Sequence, residues 1–469
     1  MNEFTNVDGS GFFATEERIR ALGGIGRSLS DRRRRFESRE KRRMLNGEFL
    51  PLIYAFIDTV FSPEVAVELK KIADPSVNLL TRIADETSLL YRSPPLRNLS
   101  RNKGGYQSAL SVIMPGGLDA VMRSAQRRLI ALGKVALKPV FLPGSGKIEI
   151  HHHSPDNLVV LPDYRRPSRP LAVAYSVSDI DEKGREVERW VYFDESFCRV
   201  LDEQFEDISE SVSWYDRERP ENPYGAIPFV FLSLGEDEDD FWQSLSATDG
   251  LYRASLLVAL NKTDKQHKMK WASFKQIAVK GELKGETADL YRDPAVIFQL
   301  DGDAGVEVMD TQSDFAGYDA AISSNISDAS CAFGLSLEDF RITLGAQSGF
   351  SRLIQREKLI DRNNLQKPMF QKAENELYRL IARMVEVHKP SGVPLLDESD
   401  TLNVEFTAPP PAQDFSTLLS AFEKQLKLGL LSPVDIFRML NPGVTEEEAD
   451  TAIRRNLKKT EELYKAVSD

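Results

Sequence analysis

The apolar positions of the chain fall into two textures, and the change between them comes near Ala136. Before that point, runs such as LPLIYAFIDTVF and VNLLTRIADETSLLY repeat apolar residues at the three-to-four-residue spacing of amphipathic helices. After it come short alternating or β-branched runs broken by proline and glycine, namely KIEIHHH, NLVVLP, LAVAYSVSDI and RWVYFDE. These predict strands of an antiparallel sheet or a small barrel. WYDRERPENPYGAIPFVFL closes the region with a proline-rich turn feeding a strand.

A long helix is predicted from about Asp240 to Ala272. Trp242, Leu245, Tyr252, Leu256 and Leu260 keep helical spacing, and Leu251, Leu257 and Val258 widen the apolar face. Only a thin polar stripe of Ser244, Thr248, Ser255 and Lys262 is left, which predicts a helix packed on most sides with that stripe in water. Its end turns basic, with Lys262, Lys265, Lys268 and Lys270. Residues 273 to 312 read as a compact insertion, with strands at FKQIAVKG and AVIFQL and a DGDAG turn before VEVMD. A second helix over 313 to 333 places Phe315, Tyr318, Ile322, Ile326, Ala329 and Phe333 on one face.

Then comes GLSLEDFRITLGAQSGFSR, whose middle is non-helical and punctuated by Gly345 and Gly349. Long structureless connections inside a compact chain are usually functional or disordered. A third helix runs from about Phe350 to His388 and should kink at Pro368, which removes a ladder donor and clashes with the preceding turn. LNVEFTAPPPAQD is a short strand and a stiff turn. The tail is helical, with Ser432-Pro433 as one helix start and Thr445 with Glu448 as a capping box for the next.

Composition narrows the function. The chain has 469 residues, 41% of them hydrophobic, and a formal net charge of -12, which argues against a protein that coats nucleic acid. The two cysteines, Cys198 and Cys331, lie far apart, so a disulfide framework or a four-ligand zinc site is out of reach, and a reducing compartment fits. The start lacks the pattern of a secretory leader, and no run of about 18 apolar residues exists to span a membrane. A soluble protein is expected.

Candidate chemistry is sparse. HHHS at 151–154 alternates faces on a strand and has no completing carboxylate or cysteine, so an exposed strand end is expected rather than a metal site. LPGSGKIEI lacks the spacing and the following hydroxyl of a phosphate loop and reads as a turn. There is no G-x-S-x-G nucleophile elbow. His267 and His388 sit at helix ends as solvated or capping groups, and GEDEDD and TEEEAD are helix-start acidity. No enzyme activity, metal or cofactor is expected. The basic run DRRRRFESREKRR reads first as a solvated helix face and second as a nucleic-acid or partner surface.

The order of elements carries a resemblance. NPYGAIPFVFL at 222–232, ISDASCAFGLSLEDF followed by QSGFSRLIQREKLI, and KLGLLSPVDIFRML before an acidic helix start together resemble the portal proteins of tailed bacteriophages. The likeness covers about residues 180 to 469. It implies an α+β portal fold: an α/β wing over 1–237, a stem helix over 238–272, a small α/β clip over 273–312 and a second stem helix over 313–333. A tunnel loop over 334–349, a long kinked wing helix and strand over 350–412, and a helical crown over 413–469 complete it.

The implied function is a virion ring, typically of twelve subunits, at one capsid vertex. It is assembled in the host cytoplasm, and double-stranded DNA is packaged and ejected through it. Implied partners are further copies of the chain, the large terminase subunit, head-completion or adaptor proteins, and the major capsid or scaffolding protein. In that frame Arg341 and Gln347 are the expected phosphate contacts, Gly345 and Gly349 the hinges, and Ser348 the cap of the following helix. Leu335, Leu337, Phe340, Ile342 and Leu344 would pack between neighbouring loops. Ser255, Lys262, Lys265 and Lys268 would form the channel face of the stem. Another ring-forming head–tail connector is the alternative, and an enzyme of unknown class stands behind it.

Overall fold

The structure is a computed structural model and describes residues 14–101, 104–163, 165–181, 183–235, 242, 248–272, 276–280, 305–309, 315–335, 349–406, 415–441 and 444–468. It is an α+β chain that divides into two compact units, Met1–Arg92 with Arg97–Val404, and Ser93–Leu96 with Glu405–Asp469.

The first unit opens with five helices, α1 (Thr15–Arg27), α2 (Leu29–Leu45), α3 (Phe49–Val60), α4 (Pro63–Lys70) and α5 (Leu79–Thr87). Local chemistry marks their starts. Ser28 accepts the Asp31 amide at 3.2 Å, Asn78 accepts the Thr81 amide at 3.1 Å, and Pro63 fills a first-turn position that needs no donor. Strand β1 (Leu96–Leu99) precedes α6 (Gly105–Ile113) and α7 (Leu118–Leu132). Helix α7 stops at Gly133, which takes φ 80°, a left-handed conformation that costs glycine little.

Two antiparallel sheets follow. Strands β2 (Lys134–Leu142), β3 (Lys147–His153) and β8 (Val230–Ser233) form one in the order β3-β2-β8. Strands β4 (Leu158–Asp163), β5 (Arg166–Ile180), β6 (Glu186–Phe193) and β7 (Cys198–Leu201) form the other in sequence order. All four expected β runs are strands, arranged as two sheets. Ala136, Leu158, Val160, Val173, Phe229 and Trp242 fill the space where they meet. On the four-stranded sheet, Ile19 and Leu22 of α1 pack with Val159, Ala174, Trp190, Tyr192 and Phe205.

The remaining elements are α8 (Asp249–Ala272), β9 (Gln276–Lys280), β10 (Gly305–Met309), α9 (Phe315–Cys331), α10 (Gly349–His388) and β11 (Leu402–Glu405). β9 and β10 pair antiparallel, with Gly305 opposite Lys280. The expected strand AVIFQL lies outside the described residues. β11 pairs with β1, and α10 runs unbroken through Pro368. A helical core gathers Leu52, Ile53 and Ile57 of α3, Leu80 and Ile83 of α5, Leu256 and Leu260 of α8, and Phe333. Each such side chain, once buried, contributes roughly 1.5–3 kcal/mol.

Helix α8 starts later than its apolar spacing predicts. Trp242 is in a turn at φ 71°, not in a helix, and its indole is 1% exposed against Phe231. Burying that ring between the sheets outweighs extending the helix. Thr248 then begins α8, its carbonyl accepting the amides of Leu251 and Tyr252 at 3.1 and 3.4 Å.

The second unit holds α11 (Phe415–Lys427), α12 (Pro433–Leu440) and α13 (Glu446–Ser468). Both expected caps are present. Ser432 accepts the Asp435 amide at 3.2 Å, and the Thr445 amide donates to Glu448 at 3.0 Å.

Candidate functional site: the α8–α9 pair and the basic helix

Helices α8 and α9 pack side by side, with Ile322, Ile326 and Ala329 of α9 against the helical core. The polar positions of α8 are the first surprise. Thr248, Ser255 and Thr263 are 1%, 0% and 0% exposed. The Ser255 hydroxyl donates to the Leu251 carbonyl at 2.9 Å and accepts the Leu80 amide at 3.0 Å. The Thr263 hydroxyl donates to Ala259 at 2.8 Å and accepts the Asp74 amide at 3.1 Å. Thr248 donates to the Ala131 carbonyl at 3.0 Å and accepts from Lys41 at 3.3 Å.

Each hydroxyl thus returns its proton to a backbone carbonyl and uses its lone pairs on a donor from another segment. For Ser255 that donor is an amide in the first turn of α5, which has no partner within its own helix. Thr248 and Ser255 of the stripe therefore face the interior and not water, and Ser244 lies outside the described residues. Ser255, expected on a channel face, is a buried dock for α5.

Lys262, Lys265 and Lys268 of α8 do reach the surface, each beside an acid. Lys262 pairs with Asp74 at 3.0 Å and also contacts Ser76. Lys265 pairs with Asp319 of α9 at 2.6 Å. Lys268 lies 3.3 Å from Asp264 and against the Tyr318 hydroxyl, its ammonium 4.7 Å above that ring. Tyr318 in turn donates to Asp264 at 2.5 Å. The hydrogen bond to Tyr318, followed by that to Asp264, raises the Lys268 pKa from its ordinary value. The basic end of α8 is thus a ladder of compensated charges tying the two helices together.

Of the tunnel-loop residues, Arg341, Gly345, Gln347 and Ser348 lie outside the described residues, as do Leu337, Phe340, Ile342 and Leu344. Gly349 is the first residue of α10. Leu335, expected to meet a neighbouring copy, is 5% exposed and packs in this chain's own helical core.

The basic run lies on α2 and is mostly committed inward. Arg34 is 4% exposed, grips Asp31 at 2.6 Å and donates to the carbonyls of Pro155 and Leu158 at 2.8 and 2.9 Å. Arg35 reaches Asp31 at 2.8 Å and stacks over Trp190 at 5.1 Å. Lys41 is 1% exposed and meets Asp249 at the start of α8, while Arg42 holds Asp156 at 2.7 Å. Much of the run joins α2 to its neighbours and is not the solvated face that its composition suggests.

The remaining chemistry-bearing motifs have structural roles. Gly146 takes φ 65° in the hairpin turn between β2 and β3, as a turn reading requires. His151 is exposed, His152 lies 2.9 Å from the Val121 carbonyl, and His153 is 7% exposed. His388, half-exposed at the end of α10, stacks on Phe141 at 4.0 Å and lies 3.0 Å from the Tyr224 hydroxyl. Among the described residues no group of three metal-ligating side chains converges, and no helix is long and apolar enough to cross a membrane.

Two buried polar groups escaped the sequence reading. Glu374 is 0% exposed and receives Arg97 at 2.5 Å and the Tyr91 hydroxyl at 2.7 Å. Lys138 is 9% exposed in the intersheet core. It donates to the Tyr175 hydroxyl at 3.0 Å, with the rings of Tyr175 and Phe193 4.5 and 4.8 Å away. A signal for Lys138 existed: it shares a strand face with Ala136, two positions earlier.

No family model matches the chain, and no curated protein does. Among solved structures it is similar to a chain in the neck of a native gene transfer agent (GTA) particle computed with C12 symmetry, at 13% identity over 82% of this chain and 96% of that one, TM-score 0.40. It is also similar to a chain in the neck of an empty GTA particle computed with C6 symmetry, at 14% identity over 81% and 94%, TM-score 0.38. A chain in the virion of a native GTA particle gives 13% identity over 81% and 94%, TM-score 0.38.

Proposed function

We propose that the chain is a portal protein, a ring-forming subunit of a phage-like particle through which double-stranded DNA is packaged and ejected. The observation that carries the reading is the order of parts. A mixed wing leads into α8, a small antiparallel β9–β10 pair follows, α9 returns beside α8, and the 40-residue α10 leads to β11 and three terminal helices. An insertion held between two packed helices suits a stem that carries a clip, and the clip is where terminase and head-completion proteins would dock.

The electrostatics suit a conduit. A uniformly basic lumen would hold DNA through counterion release, whereas a net charge of -12 with its stem lysines paired to acids does not. Lys262, Lys265 and Lys268 remain the candidates for centring the duplex, and Arg341 and Gln347 for contacting it at the tunnel loop. Negative-stain microscopy and mass photometry of the purified chain test the reading. Rings with an axial hole and a mass near twelve subunits are expected; a monomer with a cleft would overturn it.

A further inference from the structure

The part of the basic run that the fold does not use points outward. Arg33, Arg34, Arg35, Lys41, Arg42 and Arg43 each pair with a carboxylate of this chain. Arg32 and Arg39 are exposed, and the structure gives neither an acidic partner among the described residues. Between and beside them on the same side of α2 stand Leu29 and Phe36, 85% and 62% exposed. A helix repeats every 3.6 residues, so Leu29, Arg32 and Phe36 lie along one stripe and Arg39 on its flank. Guanidinium groups beside an exposed aromatic ring are the composition of an interface centre rather than of a solvated face.

A surface of complementary character projects from the same chain. The β5–β6 pair continues beyond β4, because Leu158 at the start of β4 lies opposite Tyr175 while β5 runs on to Ile180. At about 3.3 Å per residue this is an overhang of roughly 17 Å. Ile180, 70% exposed, sits opposite Glu186, and Ser178 sits opposite Glu188. Both glutamates are exposed, and neither is ion-paired among the described residues. Trp214, which donates to Asp179 at 3.1 Å, lies on the opposite face of the ribbon and leaves this one to Ile180 and the two glutamates.

We infer that the β5–β6 overhang of one copy docks on the outer face of α2 in the next copy. Glu186 and Glu188 would meet Arg32 and Arg39, and Ile180 would meet Leu29 and Phe36. This rests on the ring reading and names the wing contact that would close it. The two surfaces differ, so the contact is head-to-tail, the kind that generates rings rather than two-fold dimers. Like charges placed across such a contact oppose it strongly.

The test uses the full chain, with circular dichroism and thermal melts to establish that each variant folds as the wild type does. Mass photometry of Arg32→Glu with Arg39→Glu, and separately of Glu186→Lys with Glu188→Lys, is expected to show at least a roughly tenfold loss of ring particles. Combining all four substitutions should restore rings, which loss of the fold in either double variant would not allow. Rings that survive both reversals overturn the docking while leaving the ring reading intact. Intact rings together with lost binding of a fluorescent DNA duplex by the arginine variant would assign the face to nucleic acid instead. A wild-type chain that stays monomeric overturns both inferences.

Discussion

Lys138 offers the sharpest test of how the two sheets are held together. Burial lowers its pKa from 10.5 to about 8, with no carboxylate nearby to oppose the effect. The groups facing it are the Tyr175 phenol, raised by burial, the Cys198 thiol, pushed by burial up to about 11, and His153, held by burial at about 3. Between pH 8 and 10.5 Lys138 is therefore the member of this cluster that titrates. A gap of about 2.5 pH units means that folding disfavours the ammonium by about 3 kcal/mol at neutral pH.

The sign follows from proton counting. Between pH 8 and 10.5 the unfolded chain binds the proton on Lys138 that the folded chain has released. The Lys138 contribution to stability therefore rises with pH through that window, by at most about 1.4 kcal/mol per pH unit. Above pH 9 Cys198, raised from 9.0 to about 11, works the other way in wild type and variant alike. The Lys138 contribution is complete above 10.5 and lost as pH falls through 8. Lys138→Met removes the charge at similar volume but leaves the Tyr175 oxygen without its donor, a loss of about 1 kcal/mol. The variant should then be more stable than wild type by roughly 1–2 kcal/mol at pH 7, and the advantage should vanish or reverse by pH 10.5. Urea midpoints of both proteins at pH 7, 8, 9 and 10.5 read this directly. A constant difference across the series, or a destabilised variant at pH 7, would refute the reasoning.

Other expectations follow from single contacts. His153 is held near 3 by burial against an unfolded value near 6.5, so stability present above 6.5 is lost as pH falls toward 3. His153→Phe, in a position already facing Tyr175 and Phe229 edge-on, should lose less melting temperature than wild type between pH 6.5 and 4. Glu374→Gln leaves the buried Arg97 with Asp119, 2.7 Å away, as its remaining carboxylate and should cost about 1–3 kcal/mol in chemical denaturation. In α1, a Cβ on Gly26 would stand 2.4 Å from the Phe205 ring, whereas one on Gly24 meets nothing within 4 Å. Gly26→Ala should therefore destabilise by about 1–3 kcal/mol, while Gly24→Ala stabilises by up to about 1 kcal/mol.

Where local chemistry decides a conformation, the sequence was readable. The caps at Ser432 and Thr445, the glycine turn at Gly146 and the alternation of KIEIHHH each depend on a few neighbouring residues, and each appears in the structure. Spacing was less reliable where a distant surface competed. Trp242 stood at a helical interval from Leu245, yet the intersheet core claims its ring and leaves its backbone at φ 71°. Leu335 likewise fitted a loop that meets neighbours, yet it completes the core beside Phe333.

The polar stripe of α8 shows why a site is harder to read than a fold. Serine and threonine on a helix can satisfy their proton on their own turn, as Ser255 and Thr263 do. They then need only one outside donor, and the first turn of a neighbouring helix supplies amides that lack partners. A hydroxyl stripe on an otherwise apolar helix is therefore a docking seam at least as readily as a wet face. A lysine cannot be satisfied that way, because its three protons need acceptors and its charge opposes burial. Lys262, Lys265 and Lys268 accordingly extend to the surface and take acids from other segments or from their own turn, where the hydroxyls turn inward. Of the polar residues expected to face a channel, the charged ones keep that possibility and the hydroxyl loses it.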